Sequence, residues 1–259
     1  MFGVVLESTG ALGFLMDLSR SLLGRVRGGP AFVAVLASGF MGSVSGSAVA
    51  NVTVTGTMTI PLMKNIGFKP EAAGGVEAAA STGGQFMPPI MGATAFLITE
   101  FIGVSYLEVI SAALIPAILY FLGVMTAVFM YVRRENIGVT AEGMPEDNPR
   151  FIDVIRQPEG IVTIGGVGLL ITLLVMKFSP TYSAMYGMLA MIVMSWATKT
   201  HRITPLRFVK ILRDAAIANA TLGMAAACVG IIVGALLLTG LSVRMSGLIL
   251  DVTGGSLLA

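Results

Sequence analysis

Residues 29–64, GPAFVAVLASGFMGSVSGSAVANVTVTGTMTIPLMK, set a glycine- and serine-rich segment, GSVSGSAVAN, in the middle of an apolar stretch. The flanking arms, Ala31–Phe40 and Val52–Met63, are on the order of ten to twelve residues each. An α-helix needs about 20 residues to cross ~30 Å of hydrocarbon, so neither arm is expected to span alone. Read as one continuous span, the stretch would carry Ser43, Ser45, Ser47 and Asn51 to mid-bilayer on a glycine-loosened backbone. Irregular backbone at that depth is tolerated only where protein or a water-filled cavity satisfies its polar groups. Arg20, Arg25 and Arg27 precede the first arm, and Lys64 and Lys69 follow the second. Basic residues mark the cytoplasmic side, so both ends are expected there. Residues 30–64 therefore read as a re-entrant hairpin with a polar tip at the midplane. The competing reading is one long helix whose small residues (Gly42, Gly46, Ser47, Ala50) admit a close neighbour.

The rest of the chain favours the hairpin. Of 259 residues, 55% are hydrophobic and only 12% charged, more apolar surface than a soluble domain of this size needs. The fold class expected is an all-α polytopic membrane protein, with the lipid bilayer as its surroundings. The net charge of +2 sits in short loops between apolar runs, which reads as topology and not as nucleic-acid binding. One cysteine, Cys228, and one histidine, His201, exclude a disulfide framework and a Cys/His zinc cluster. Met1 leads into an apolar run carrying Glu7, without a signal-peptide pattern.

In chain order, residues 1–29 read as a spanning helix over 2–16 and an amphipathic interfacial connector, Asp17–Gly29. After the hairpin, residues 70–132 hold a small-residue helix with Glu71 and Glu77, a break at STGGQFMPPIMG (81–92), an apolar run at Ala93–Ile102, and a span at Leu107–Val132. Two glycines followed by two prolines break a helix, because proline lacks the N–H and clashes one turn back. Residues 133–159 read as a solvated cytoplasmic loop, and 160–259 as spanning helices at Gly160–Met176, Tyr182–Ala197 and Ala215–Leu241. The basic clusters share one side only if residues 30–63 do not cross. The stretch from Gly230, with Thr239-Gly240 and Gly254-Gly255, echoes Thr9-Gly10 and Gly28-Gly29 near the start. That echo suggests an inverted-topology repeat around a midplane site. Because the chain stops at Ala259, where a second hairpin is expected, the sequence reads as a fragment with a truncated second repeat.

The tip and the break together offer Gly42, Ser43, Ser45, Gly46, Ser47, Asn51, Ser81, Thr82, Gly83, Gly84, Gln85, Pro88 and Pro89. Hydroxyl, amide and carbonyl oxygens suit Na⁺, here expected through Ser43, Ser45, Asn51 and Gly83. Half-helix N-termini suit an anionic carboxylate substrate. Glu77 lies four residues before Ser81 on one helical face, so it is a candidate support for the site, or a proton carrier if coupling is to protons. Glu7 reads as structural or lipid-interfacial, Glu100 as interfacial, His201 as solvated and Trp196 as an interface anchor. An enzyme is not expected. GSVSG puts Val44 where a nucleophile elbow needs its serine, and no H-E-x-x-H occurs. No cofactor is expected beyond Na⁺ as coupling ion. A structural membrane subunit would have little use for two polar breaks.

The run GSVSGSAVANVTVTGTMTIPLMKNIGFKPEAAGGVEAAASTGGQFMPPIMGATAFLITEFIGVSYLEV resembles the large membrane subunit of tripartite ATP-independent periplasmic (TRAP) transporters, most strongly over residues 38–110. The unbroken VEAAASTGGQ…PPIMGA suggests the TAXI-associated branch with a fused small subunit. The resemblance implies a sodium-coupled importer of organic acids in the bacterial inner membrane. It implies an elevator-type domain of two hairpins and two broken helices, a small membrane subunit or its fused equivalent, and a periplasmic substrate-binding protein. By the same resemblance, Ser43–Asn51 match the first hairpin tip and Ser81–Pro89 the facing broken helix. The length departs from the family, since the fused small subunit and the second hairpin do not appear in this sequence.

Overall fold

The computed structural model describes residues 2–24, 26–92, 95, 98–99, 102–137, 149–196 and 203–240. Their regular structure is helical, as α1 (Phe2–Ser8), α2 (Ala11–Leu23), α3 (Gly29–Ser45), α4 (Ala48–Asn65), α5 (Pro70–Gly84), α6 (Tyr106–Arg134), α7 (Phe151–Ile155), α8 (Pro158–Val175), α9 (Pro180–Ser195) and α10 (Pro205–Leu238). Local chemistry sets several starts. Pro70, Pro158 and Pro180 open their helices, where a missing N–H costs nothing. Ser47, Ser105 and Ser179 cap α4, α6 and α9 by accepting from Ala50, Glu108 and Tyr182 N–H groups. The chain divides into two compact units, Met1–Arg213 and Asp214–Ala259. In the second, residues 214–238 continue as helix and expose Ile217, Met224, Ile231 and Ile232.

The first unit is built around α3, of whose 17 residues only Leu36, Phe40 and Ser45 are not buried. A helix apolar all round belongs inside, and α2, α4, α5 and α6 surround it. Next to it α4 runs antiparallel: Met63 near its end joins Ala31, Phe32 and Ala34 near the start of α3 in one apolar cluster. Residues 30–64 are thus a helical hairpin, but less loosened than expected. GSVSGSAVAN is helical except at Gly46-Ser47, so the arms lengthen to 17 and 18 residues. Each is then about 26 Å long at 1.5 Å per residue, still short of ~30 Å of hydrocarbon.

Two further expectations need correction. The first helix is not continuous over 2–16: it bends by 77° between α1 and α2, where Gly10 takes φ 85°. The interfacial connector then begins inside a helix, since α2 runs through Asp17 to Leu23. The second concerns α5, which persists through Gly84, so the break is at 85–92 and Ser81 to Gly84 remain helical. Most of Ala93–Ile102 lies outside the described residues, as do Arg25, Glu100, His201 and the echo beyond Gly240.

By length and composition α6 and α8 could cross a membrane, and the bent α1–α2 pair would make a third span. The expected span at 182–197 is the 16-residue α9, and Ala215–Leu241 falls mainly in α10. Along α6, Leu114, Ile115, Ile118, Leu119, Leu122 and Met130 are exposed, an apolar face suited to lipid or a partner helix. One end of the unit is basic. Arg27 Nε donates to the Ile137 carbonyl at 3.3 Å, Lys69 pairs with Glu135 at 3.8 Å, and Arg133 and Arg134 close α6 beside them. Both feet of the hairpin therefore stand by the basic end of α6. Trp196 is exposed and donates through Nε1 to the Ile203 carbonyl.

Candidate substrate and cation site

Packing of α3 on α5 begins with two glycines. A Cβ on Gly84 would lie 2.5 Å from Gly42 Cα, and one on Gly42 would lie 2.7 Å from Gly84 Cα. Only two hydrogens let the backbones touch there, the close approach that small residues permit in membrane helices. The hairpin turn is pinned to the break in α5. Met91 N–H donates to the Ser43 carbonyl at 3.2 Å, and Gly92 N–H to the Gln85 carbonyl at 2.6 Å. Gly46 turns at φ 66°, with Met91 O 2.5 Å from where its Cβ would be. Pro88-Pro89 is a cis peptide, and Tyr106 Oη donates to the Ile90 carbonyl. Three helix ends thus meet: the C-terminal ends of α3 and α5 and the N-terminal end of α4.

Beneath the tip lies a polar cluster in which every side chain is buried: Ser38 of α3, Asn51, Thr55 and Thr59 of α4, and Glu77 and Ser81 of α5. Ser38, Thr55 and Ser81 hydroxyls lie 3.1, 2.5 and 3.1 Å from Glu77 Oε1, and Thr59 Oγ1 lies 2.6 Å from Oε2. With one proton each, Thr55 and Thr59 give it to the carboxylate or to the carbonyl one turn back, Asn51 O or Thr55 O. Asn51 Nδ2 donates to the Ser38 carbonyl at 2.7 Å and to Ser38 Oγ at 3.1 Å. A carbonyl accepts only, so this bond fixes the amide's orientation. Asn51 Oδ1 is turned away from that bond, and it is buried without a hydrogen-bond partner among the described residues. Ser45 Oγ, in the last turn of α3, is likewise buried and without a partner among the described residues. Buried polar atoms are nearly always satisfied, so these two oxygens, like Thr163 Oγ1 in α8, are acceptors that a hydrogen-bond donor, a water or a cation could meet. Neutral oxygens of this kind are ligands that Na⁺ could take. Among the described residues no group of three His, Cys, Asp or Glu side chains offers a site for a harder-bound metal.

The residues read from the sequence separate into two groups. Gly42, Ser43, Ser45, Gly46, Ser47, Asn51, Ser81 and Gly84 lie along the α3–α4–α5 contact, with Ser43 Oγ donating to Phe40 O at 2.8 Å. Thr82 is exposed and bonds its own helix at Ala78 O, and Gln85 is exposed. Gly83 faces the opposite way, where a Cβ would meet the Tyr120 ring at 2.5 Å. Pro88 and Pro89 are half-buried in the break. Glu77 proves to be the hub of the cluster. Ser38, Thr55 and Thr59 were not legible as site residues, although Asn51, Thr55 and Thr59 recur every fourth position along one face of α4.

A family profile described as "Tripartite ATP-independent periplasmic transporter, DctM component" matches residues 1–259. A Haemophilus influenzae protein named "Putative TRAP transporter large permease protein" is 31% identical over 117 residues, covering 45% of this chain and 27% of the relative. The Escherichia coli "2,3-diketo-L-gulonate TRAP transporter large permease protein YiaN" is 27% identical over 117 residues, 45% of this chain and 27% of that protein. The Haemophilus influenzae "Sialic acid TRAP transporter permease protein SiaT" is 26% identical over 188 residues, 70% of this chain and 29% of that protein. The chain spans less than a third of the length of these curated relatives.

Proposed function

The chain belongs to the DctM family of tripartite ATP-independent periplasmic transporters, and on that premise we propose that it supplies one hairpin and one broken helix of a sodium-coupled importer of organic acids. Its relatives are permeases and not enzymes, and the family resides in the bacterial inner membrane. The observation that carries the sodium reading is two buried oxygens, Asn51 Oδ1 near the start of α4 and Ser45 Oγ at the end of α3, with no hydrogen-bond partner among the described residues. Asn51 and Ser45 would hold the cation. The N-terminal end of α4, opened by Ser47, would face the substrate carboxylate. Of the substrates named for relatives, sialic acid, a diketogulonate and C4-dicarboxylates carry a carboxylate and isethionate carries a sulfonate, which supports an organic acid here. A periplasmic binding protein of the TAXI type would deliver it, a small membrane subunit or fused equivalent would complete the permease, and the hairpin would ride in an elevator-type moving domain.

The test is uptake into membrane vesicles carrying the native gene product with its binding protein, offered sialic acid and a C4-dicarboxylate in turn. Accumulation is expected to follow an inward sodium gradient and to collapse when choline replaces sodium. Uptake driven equally well by a proton gradient without sodium would overturn sodium coupling. It would favour proton coupling through Glu77, a reading that its burial supports.

The re-entrant course has its own test. In a Cys228→Ala background, single cysteines replacing the exposed Val26, Lys64 or Glu135 are expected to resist an impermeant thiol reagent in intact cells and to react after permeabilisation. Val26 and Lys64 reacting from opposite sides would make residues 30–63 a plain spanning segment.

A further inference from the structure

Glu77 is a carboxylate with no exposed surface, and among the described residues no basic side chain pairs with it: the ion pairs there are Asp17–Arg20 and Lys69–Glu135. Its neighbours are four hydroxyls, which stabilise a negative charge without cancelling it. A buried charge at membrane depth is retained where something compensates it. The route from Glu77 to the orphan oxygen of Asn51 is short. Glu77 Oε1 is 3.1 Å from Ser38 Oγ, and Ser38 Oγ is 3.1 Å from Asn51 Nδ2. The same amide carries Oδ1 on its far side.

We propose that Glu77, without touching the ion, is the fixed counter-charge of the cation site, held through Ser38 against the asparagine that ligates it. The inference rests on the sodium reading above. Three consequences follow from the geometry. The site attracts a cation although every atom expected to touch it is neutral. Ser38 bridges charge and ligand, so it is a positioning residue: its carbonyl orients the Asn51 amide and its hydroxyl links that amide to the carboxylate. Hairpin and α5 are also joined through one carboxylate, so cation binding on α3 and α4 is felt on α5.

Glu77→Gln is the informative variant because the cluster can accommodate it. An amide nitrogen in place of Oε2 would donate to Thr59 Oγ1, whose own proton would turn to Thr55 O, 3.0 Å away. The charge is removed while the hydrogen bonds persist. The experiment measures the rise in melting temperature of the purified native gene product in lipid nanodiscs as NaCl replaces choline chloride. It compares wild type, Glu77→Gln and Ser38→Ala. At this separation the loss of one charge should raise the half-saturating sodium concentration at least about fivefold. A role confined to structure would lower the melting temperature without moving that concentration. A shift below about threefold in Glu77→Gln, with wild type responding to sodium, would overturn this inference alone. If wild type shows no response to sodium over choline, the sodium reading fails and takes this inference with it. Ser38→Ala keeps the charge and should move that concentration less than Glu77→Gln does. Should Glu77→Gln alone not accumulate, it is measured in a Gly74→Ala background, which supports α5 at a position with open space, and the same thresholds decide.

Discussion

Gly84→Leu is expected to drive the hairpin off α5 and to leave little folded protein. The first carbon of any side chain at 84 would stand 2.5 Å from Gly42 Cα, 2.8 Å from Gly42 C and 3.3 Å from Ser43 N. All three are backbone atoms, so no rotamer change relieves the clash and the helices themselves must separate. Overpacking of a closed core typically costs about 1–3 kcal/mol where side chains can adjust. Here they cannot, and the loss should exceed that range. Against a total stability of about 5–15 kcal/mol, that is a large share. For a unit of this size a fall in melting temperature of more than about 6 °C is expected, read by a thermal melt in detergent or by the monodisperse fraction on gel filtration. The same helix contains its own control. Gly74 meets nothing within 4 Å, so Gly74→Ala should be neutral or stabilise by up to about 1 kcal/mol through helix propensity. If Gly84→Leu melted with wild type, the contact that brings Ser38, Asn51 and Glu77 together would not exist in the folded protein.

That contact also explains which parts of the site were legible in the sequence. The all-helical class, the hairpin and the break in α5 follow from run length, hydroxyl density and the GG…PP pattern, all local properties. Facing is not local. Read as part of an irregular break, Thr82 to Gln85 have no faces, so all four enter the candidate site beside Ser81, which shares a face with Glu77. Because α5 stays helical to Gly84, its 3.6-residue period sorts them: Glu77, Ser81 and Gly84 look at the hairpin, Gly83 at Tyr120, and Thr82 outward. Ser38 was invisible for another reason. It is one serine in an apolar arm, a residue such helices hold routinely, and only the docking of α5 gives its hydroxyl a carboxylate to meet. The bend at Thr9-Gly10 was missed because glycine is common inside unbroken membrane helices too.

Ser45→Ala is expected to move stability and sodium response in opposite directions, which few changes at a packed position do. Its hydroxyl is buried and has no hydrogen-bond partner among the described residues. An unsatisfied buried polar group costs about 1–3 kcal/mol. Alanine removes that group and suits the last turn of α3 at least as well. Without sodium the variant should therefore melt higher than wild type, by about 2–6 °C. In saturating sodium the order should shrink or reverse, because a ligand that binds only the folded state stabilises with the logarithm of its concentration over its dissociation constant, and on the proposed sodium reading the variant lacks one ligating oxygen. Asn51→Leu separates the two effects. It removes Oδ1 but also the Nδ2 that satisfies the Ser38 carbonyl, so it should lose stability without sodium and lose the sodium response as well. Ser45→Ala with a lower sodium-free melting temperature would mean that its hydroxyl is bonded in the folded protein. A full sodium response in that variant would remove Ser45 from the cation site and leave the Asn51 carbonyl oxygen as the orphan to be explained.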